Sequence, residues 1–209
     1  MYQDITGIIL SGGKSTRMGE NKSFLKIGDK TVIARVIDMM KELFPRVILI
    51  TNEPELYEGF RIDVFTDVYT YKGPLAGIHS GLIHSGTEKN FVISCDMPLV
   101  SPGIIDFIIN YKSDSPIKIA KADGFVQQLA GYYEKSCLSE IENSFKESET
   151  EETRHAEQNK RKCRVLSLVH TLSGEIIDIE KEYEGYKPNS FLNMNRPEEY
   201  EQIKNIILE

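Results

Sequence analysis

Residues 11–22, SGGKSTRMGENK, carry the side chains whose types and spacing first suggest chemistry. The pair Gly12-Gly13 lets backbone N–H groups approach phosphate oxygens closely, because glycine has no Cβ in the way. Arg17 can fork two phosphate oxygens, and Lys22 can place a point charge on a third. The stretch therefore predicts a phosphate site. The alternative is a surface turn with solvated cations.

Gly13-Lys14-Ser15 looks like the end of a P-loop, but the surrounding sequence excludes that motif. A P-loop follows G-x-x-x-x-G-K-[ST], so its first glycine would stand at position 8, which is Ile8. Gly7 is one residue too early, and it precedes the apolar run instead of following it. A G-x-G-x-x-G dinucleotide loop is excluded as well, since the glycines of this loop do not have that spacing.

Asp96 is a second candidate, because it comes soon after an apolar run at 90–94 that predicts a buried strand. In open α/β sheets, ligands bind beyond the carboxyl ends of the strands. A carboxylate there could hold Mg2+, which would neutralise triphosphate oxygens and a pyrophosphate leaving group. The alternative is that Asp96 caps a turn before Pro98.

The cysteines and histidines suggest no further catalytic chemistry. Cys95, Cys137 and Cys163 are odd in number and widely spaced, which supports neither a disulfide framework nor a zinc site. Cys95 is predicted to be a small buried side chain rather than a catalytic thiol. The four histidines have neither metal-ligand nor triad spacing.

The elements that must position these residues alternate between strands and helices, which predicts one α/β domain over residues 1–209 with a mostly parallel sheet. Apolar runs predict strands at 6–10, 24–27, 46–51, 62–65, 90–94, 117–121 and 125–133. Helical spacing and proline starts predict helices at 31–43, 75–85 after Pro74, 101 to about 112, and from Pro197 onward.

Charge and hydropathy narrow the class of protein. The net charge of −7 argues against broad nucleic-acid binding, which depends on a basic surface. No apolar run approaches a membrane span or a signal peptide, so a cytoplasmic location is expected. Residues 140–163 are strongly charged and are interpreted as a solvated helix and loop, or alternatively as a lid or partner-binding segment.

The opening loop also matches a family signature. Leu10-Ser11-Gly12-Gly13-x-Ser15-x-Arg17-Met18-Gly19-x-x-Lys22 resembles the pattern L-[AS]-G-G-x-S-x-R-M-G-x-x-K of the molybdenum cofactor guanylyltransferases, the MobA family of nucleotidyltransferases. Ser11 stands where Ala is commoner. Three further stretches match in the same order: Asp67 followed by GPLAG at 73–77, CDMP at 95–98, and FLNMNRPE at 191–198, where Arg196 replaces the usual Thr. The resemblance is weakest between residues 134 and 180.

The resemblance implies a three-layer α/β fold with a Rossmann-like nucleotidyltransferase topology. It implies transfer of GMP from GTP to the molybdenum-molybdopterin cofactor, with Mg2+ as cofactor and with the guanine dinucleotide cofactor and pyrophosphate as products. The implied catalytic residues are Arg17, Lys22 and Asp96, with Asp96 as the metal ligand. The implied nucleotide-binding residues are Leu10, Ser11, Gly12, Gly13, Lys22, Asn52, Asp67, Pro74, Leu75, Gly77 and Asp96, and the implied pterin side consists of Asn193 and Asn195.

Several of these residues also have a plainer interpretation. Asn52 and Asp67 could be turn formers, Gly73-Pro74 a simple helix start, and Asn195 a helix cap. Three other functions stay open: a cytidylyltransferase of the same family, a sugar-phosphate nucleotidyltransferase, and a cofactor-delivery adaptor without catalysis. The expected partners are GTP, molybdenum-molybdopterin, and molybdoenzyme apoproteins or other cofactor-biosynthesis proteins, rather than nucleic acid or membranes.

Overall fold

The computed structural model describes residues 1–12, 22–70, 72–150 and 164–209, and its centre is a seven-stranded sheet. The described strands are β1 (Ile5–Leu10), β2 (Lys26–Ile27), β3 (Lys30–Thr31), β4 (Arg46–Ile50), β5 (Asp63–Phe65), β6 (Lys89–Ser94), β7 (Ile117–Ala122), β8 (Phe125–Glu134) and β9 (Glu175–Asp178). Their order across the main sheet is β5-β4-β1-β6-β8-β7-β9, and β2 pairs with β3 in a separate ribbon.

The main sheet is mostly parallel, as predicted. Strand β1 pairs in parallel with β4 and β6, and β4 pairs in parallel with β5. Strand β8 is antiparallel to both of its neighbours, so among the described strands of this sheet it alone runs in the opposite direction. All six residues of β1 are buried, as expected for a parallel strand that is covered on both faces.

Helices cover both faces of the sheet and give the expected three layers. The described α-helices are α1 (Val32–Leu43), α2 (Pro74–His84), α3 (Pro102–Ile109), α4 (Leu138–Thr150), α5 (Val165–Thr171), α6 (Ile179–Glu182) and α7 (Pro197–Leu208). Apolar side chains of α1 and α3 pack on one face, and those of α2, α4 and α5 pack on the other. Among the described residues, none of the helices has the length and apolar character that a membrane crossing requires.

Two element predictions were wrong at their boundaries. Helix α3 ends at Ile109 instead of near residue 112, and Lys118 Nζ donates to the carbonyl oxygens of Ile109, at 2.6 Å, and Tyr111, at 3.3 Å. The first bond occupies a carbonyl at the helix end, where the last turn lacks partners within the helix. The strand predicted at 24–27 is only β2, because a 3₁₀ turn over Lys22–Phe24 precedes it.

The fold brings the carboxyl ends of the central strands to the same level. Leu10 at the end of β1 is paired with Ile50 of β4 and with Ser94 of β6. The residues that follow these strands therefore meet at one edge of the sheet, where open α/β sheets bind ligands.

Candidate functional site

The centre of the candidate site is an ion pair between Lys22 and Asp96. Lys22 Nζ lies 2.5 Å from Asp96 Oδ2 and also donates to Asn195 Oδ1 at 2.8 Å. Ser94 Oγ donates to the other carboxylate oxygen of Asp96 at 2.5 Å. Asp96 is only 8% exposed, and a buried carboxylate needs such partners to offset the loss of its hydration. The sequence predicted both charged residues, and the fold brings them into direct contact.

The C-terminal motif reaches this centre through backbone bonds. The Met194 N–H donates to the Asp96 carbonyl at 3.1 Å, which ties the segment to the end of β6. Glu199 Oε2, in the first turn of α7, accepts from the backbone N–H groups of Asn195, at 2.6 Å, and Arg196, at 2.9 Å. The N-cap of α7 is Arg196, so the interpretation of Asn195 as the helix cap is wrong. The Asn195 side chain contacts Lys22 instead.

A second polar group lies between the ends of β4 and β5. Asn52 Nδ2 donates to Asp67 Oδ2 at 2.9 Å, and the Asp67 N–H donates to Asn52 Oδ1 at 3.3 Å. The next N–H, that of Val68, donates at 2.8 Å to Ser80 Oγ on α2. These bonds bring together two sequence candidates that are 15 residues apart in the chain. The hydrogen bonds between Asn52 and Asp67 therefore join the loop after β4 to the loop after β5.

The start of α2 lies next to this pair. A Cβ added at Gly77 would lie 3.3 Å from Leu10 Cδ2 and 3.8 Å from Asp67 Oδ1. Gly73, just before the helix, has φ +66°, a left-handed conformation that glycine adopts at low cost. Pro74 is exposed, whereas the Leu75 side chain is buried. Any ligand contact of Leu75 would therefore come from its backbone.

The predicted phosphate loop, residues 11–22, is described only at its two ends. Leu10 and Ser11 are buried, and Gly12 is exposed. Ser11 Oγ lies 2.6 Å from Tyr57 Oη, so the side chain points into the protein interior and not toward solvent. Gly13 and Arg17, which the sequence predicts in this site, lie outside the described residues.

Three residues around the site belong to no family motif. Ser94 and Ser80 could have been suspected from their places near Asp96 and in α2. Tyr57 has no such signal, because it lies in a 3₁₀ segment, Pro54–Phe60, that matches no motif. Asn193 is partly exposed two residues before Asn195.

Burial raises the pKa of the Cys95 thiol, with the neighbouring Asp96 carboxylate adding to the effect. The thiol therefore stays protonated at neutral pH and is a weak nucleophile. Cys95 is free and buried, which confirms the prediction of a small buried side chain.

Comparison with known proteins identifies the type of domain. The family described as MobA-like NTP transferase domain matches residues 7–162. A probable molybdenum cofactor guanylyltransferase from Clostridium perfringens (strain 13 / Type A) is 35% identical over 196 residues, covering 93% of each chain. A molybdenum cofactor guanylyltransferase from Desulfosudis oleivorans is 31% identical over 96% of this chain and 94% of its own.

A solved structure supports the fold independently. The crystal structure of molybdopterin-guanine dinucleotide biosynthesis protein A from Archaeoglobus fulgidus superposes with a TM-score of 0.77. It is 22% identical and covers 97% of this chain and 98% of its own. At this identity the likeness supports the fold alone.

Proposed function

The chain belongs to the MobA-like NTP transferase family, and on this premise we propose that it transfers GMP from GTP to the molybdenum-molybdopterin cofactor. The observation that carries the proposal is the contact of Lys22 with Asp96 at the carboxyl edge of the sheet. A cation and a carboxylate are adjacent there. The cation suits the negative triphosphate, and the carboxylate suits the metal ion that accompanies it.

The reaction needs positioning and charge neutralisation more than a protein nucleophile. The terminal phosphate oxygen of molybdopterin forms a bond to the α-phosphorus of GTP. The bond from that phosphorus to the bridging oxygen breaks, and pyrophosphate leaves with the electron pair. Lys22, Arg17 and the backbone N–H groups near Gly12 and Gly13 would hold the triphosphate and balance this charge.

Nucleotidyl transfer typically uses a divalent metal ion, and we propose Mg2+ held by Asp96. Mg2+ is usually bound by one or two carboxylates together with water and substrate phosphates. Among the described residues, no group of three or more His, Cys, Asp and Glu side chains converges, so substrate phosphates and water would have to complete the coordination of an ion held by Asp96. That donor set fits Mg2+, which would neutralise the triphosphate and the departing pyrophosphate.

The two sides of Asp96 suggest two subsites. Guanosine would bind on the β4 and β5 side. It would contact Asn52, Asp67 and the start of α2 at Pro74, Leu75 and Gly77, and Leu10 and Ser11 would form the floor of this subsite. On the other side, the C-terminal motif with Asn193 and Asn195 would face the pterin. Asn195 contacts Lys22, so it lies at the border between the two subsites.

The test is product formation from the complete protein. Molybdenum-molybdopterin, Mg2+ and either GTP, CTP or ATP are mixed with the chain, and pyrophosphate release and the dinucleotide mass are measured. We expect pyrophosphate and a guanine dinucleotide with GTP only. Preferred use of CTP would instead indicate a cytidylyltransferase, and cofactor binding without pyrophosphate release would indicate a delivery protein.

Location and partners follow from this function. We propose that the protein acts in the cytoplasm, where GTP is available and where buried thiols such as Cys95 and Cys137 remain free. The product would pass to molybdoenzyme apoproteins or to other cofactor-biosynthesis proteins.

A further inference from the structure

A chain of four polar side chains includes the sequence neighbours of Lys22 and Asp96. Tyr57 Oη lies 2.6 Å from Ser11 Oγ, and Ser11 Oγ lies 3.4 Å from Ser23 Oγ. Ser23 Oγ lies 3.2 Å from Cys95 Sγ. All four residues are buried, with Tyr57 1% and Ser23 2% exposed. We call Ser11, Ser23, Tyr57 and Cys95 the hydroxyl network.

The hydroxyl network joins the backbone positions next to the charged residues of the site. Ser23 directly follows Lys22, and Cys95 directly precedes Asp96. Ser11 stands at the other end of the phosphate loop, immediately after β1. The Ser23–Cys95 contact therefore joins the same two chain segments as the Lys22–Asp96 contact, one residue away on each, and Ser11 joins the start of the loop to its end.

Tyr57 forms one end of the hydroxyl network, and aromatic packing fixes its ring. Its ring packs against Phe24 and Phe60, with ring centroids 5.2 Å and 6.1 Å apart. Packing fixes the ring, so the hydroxyl has a defined position opposite Ser11. Hydrogen bonds among buried groups are strengthened by the low local dielectric, and removing one hydroxyl weakens its links on both sides.

We propose that Tyr57 and Ser23 are positioning residues that hold Lys22 against Asp96 in the geometry needed for the triphosphate. They act through the hydroxyl network and do not touch the nucleotide themselves. The inference rests on the proposed function of Lys22 and Asp96 and adds the means by which they are held. It also assigns a structural role to Ser11, because an alanine at that position could not form the hydrogen bond to Tyr57.

The first test is Tyr57→Phe, which removes the hydroxyl and keeps the packed ring. We expect kcat/KM for GTP to fall about three- to tenfold, the effect of one net hydrogen bond. The matched control is Tyr132→Phe. The Tyr132 hydroxyl bonds to Glu134 at a distance of 2.8 Å, and this bond lies at the end of β8 that is remote from the site. An equal loss of activity in both variants would overturn the proposal.

The second test asks whether Tyr57 acts through Lys22. Tyr57→Phe is combined with Lys22→Ala in a double-mutant cycle. We expect Tyr57→Phe to change kcat/KM less than about twofold once Lys22 is gone, because nothing remains to be positioned. The same fold-loss in both backgrounds would show that Tyr57 acts elsewhere or only on general stability, and would overturn the proposal.

A binding measurement separates this inference from the proposed function. The ligand is the Mg2+ complex of whichever nucleoside triphosphate binds the wild type most tightly. Calorimetry measures its Kd for the wild type, the two single variants and the double variant. The absence of pyrophosphate release in the wild type would refute the proposed function. The double-mutant cycle calculated from the Kd values would still test whether Tyr57 positions Lys22. Should Tyr57→Phe not fold, Ser23→Ala removes the hydroxyl between Ser11 and Cys95 and takes its place in the cycle with the same expected result.

Discussion

At the residue scale, Lys22 and Asp96 act as one unit. Asp96 is nearly buried, and its charge is balanced by the ammonium group 2.5 Å away. Removing either partner leaves the other charge poorly compensated, so the two substitutions should not have additive effects. The sequence identified both residues separately, but their contact spans 74 positions and depends on the fold.

Asp96→Asn tests the carboxylate with little change in shape. We expect kcat/KM for GTP to fall about a hundredfold or more, because the metal ligand and the counter-ion of Lys22 are lost together. Pyrophosphate release measures the loss, and circular dichroism checks the fold. Asp63→Asn is the control, since Asp63 is exposed and pairs only loosely with Arg46, at 3.4 Å. Full Mg2+-dependent activity of Asp96→Asn would remove Asp96 from the metal site.

Asn195→Ala tests the border between the two proposed subsites. Asn195 Oδ1 accepts from Lys22 Nζ, so we expect its loss to raise the KM for GTP about three- to tenfold. Asn193→Ala is the comparison and should raise the KM for the molybdenum cofactor alone. Steady-state kinetics with each substrate varied in turn gives both values. A rise confined to the cofactor KM in both variants would place Asn195 wholly on the pterin side.

At the element scale, α2 depends on close packing against β1. A Cβ added at Gly81 would lie 2.5 Å from Ile8 Cγ2, nearer than real Cβ atoms come to a neighbour. Glycine there lets α2 approach the central strand. The start of the helix and Ser80 can then lie next to Asp67. There, Ser80 Oγ accepts a hydrogen bond from the N–H of Val68.

Gly81→Ala should therefore push α2 away from the sheet despite the better helix propensity of alanine. We expect the free energy of unfolding to fall by about 1–3 kcal/mol and the KM for GTP to rise. Urea denaturation followed by circular dichroism gives the first value. The control is Gly59→Ala, because a Cβ at Gly59 would meet no atom of the described residues within 4 Å apart from its own local chain. An unchanged or raised stability of Gly81→Ala would show that β1 and α2 adjust to the methyl group without cost.

At the scale of the whole molecule, the sequence predicted what depends on local patterns. The apolar run of β1 and the helical spacing of α1 gave elements close to those observed, with Thr31 as the N-cap of α1. The direction of β8 could not be predicted in this way, because strand pairing is decided by contacts distant in the chain. The contact between Lys22 and Asn195 joins residues 173 positions apart, and no local pattern encodes it.

The C-terminal helix shows the same limit. Its spacing predicts an apolar face of Tyr200, Ile203, Ile206 and Ile207, but Ile203 is fully buried while Ile206 is 43% exposed. Ile203 belongs to a cluster with Ile27, Val32 and Met194, which joins α7 to the ribbon and to α1. The helix therefore packs on the part of the chain that follows Lys22, and we propose that residues 1–209 form one cooperative domain.

Paired substitutions on α7 test this proposal. Ile203→Ala should lower the free energy of unfolding by about 2–5 kcal/mol, because it leaves a cavity in the cluster, whereas Ile206→Ala should change it by about 0.5 kcal/mol or less. Urea unfolding is followed by far-ultraviolet circular dichroism and by tyrosine emission, since the sequence has ten Tyr and no Trp.

We expect both signals to report one coincident transition in each protein, shifted as a whole in Ile203→Ala. Saturating Mg2+ and GTP should move that single transition to higher urea, because ligand binding stabilises the entire cooperative unit. A separate early transition in Ile203→Ala that GTP leaves in place would mean that the C-terminal segment unfolds independently of the nucleotide site. The Lys22–Asn195 contact would then hold only while α7 stays folded, and residues 1–209 would not form a single domain.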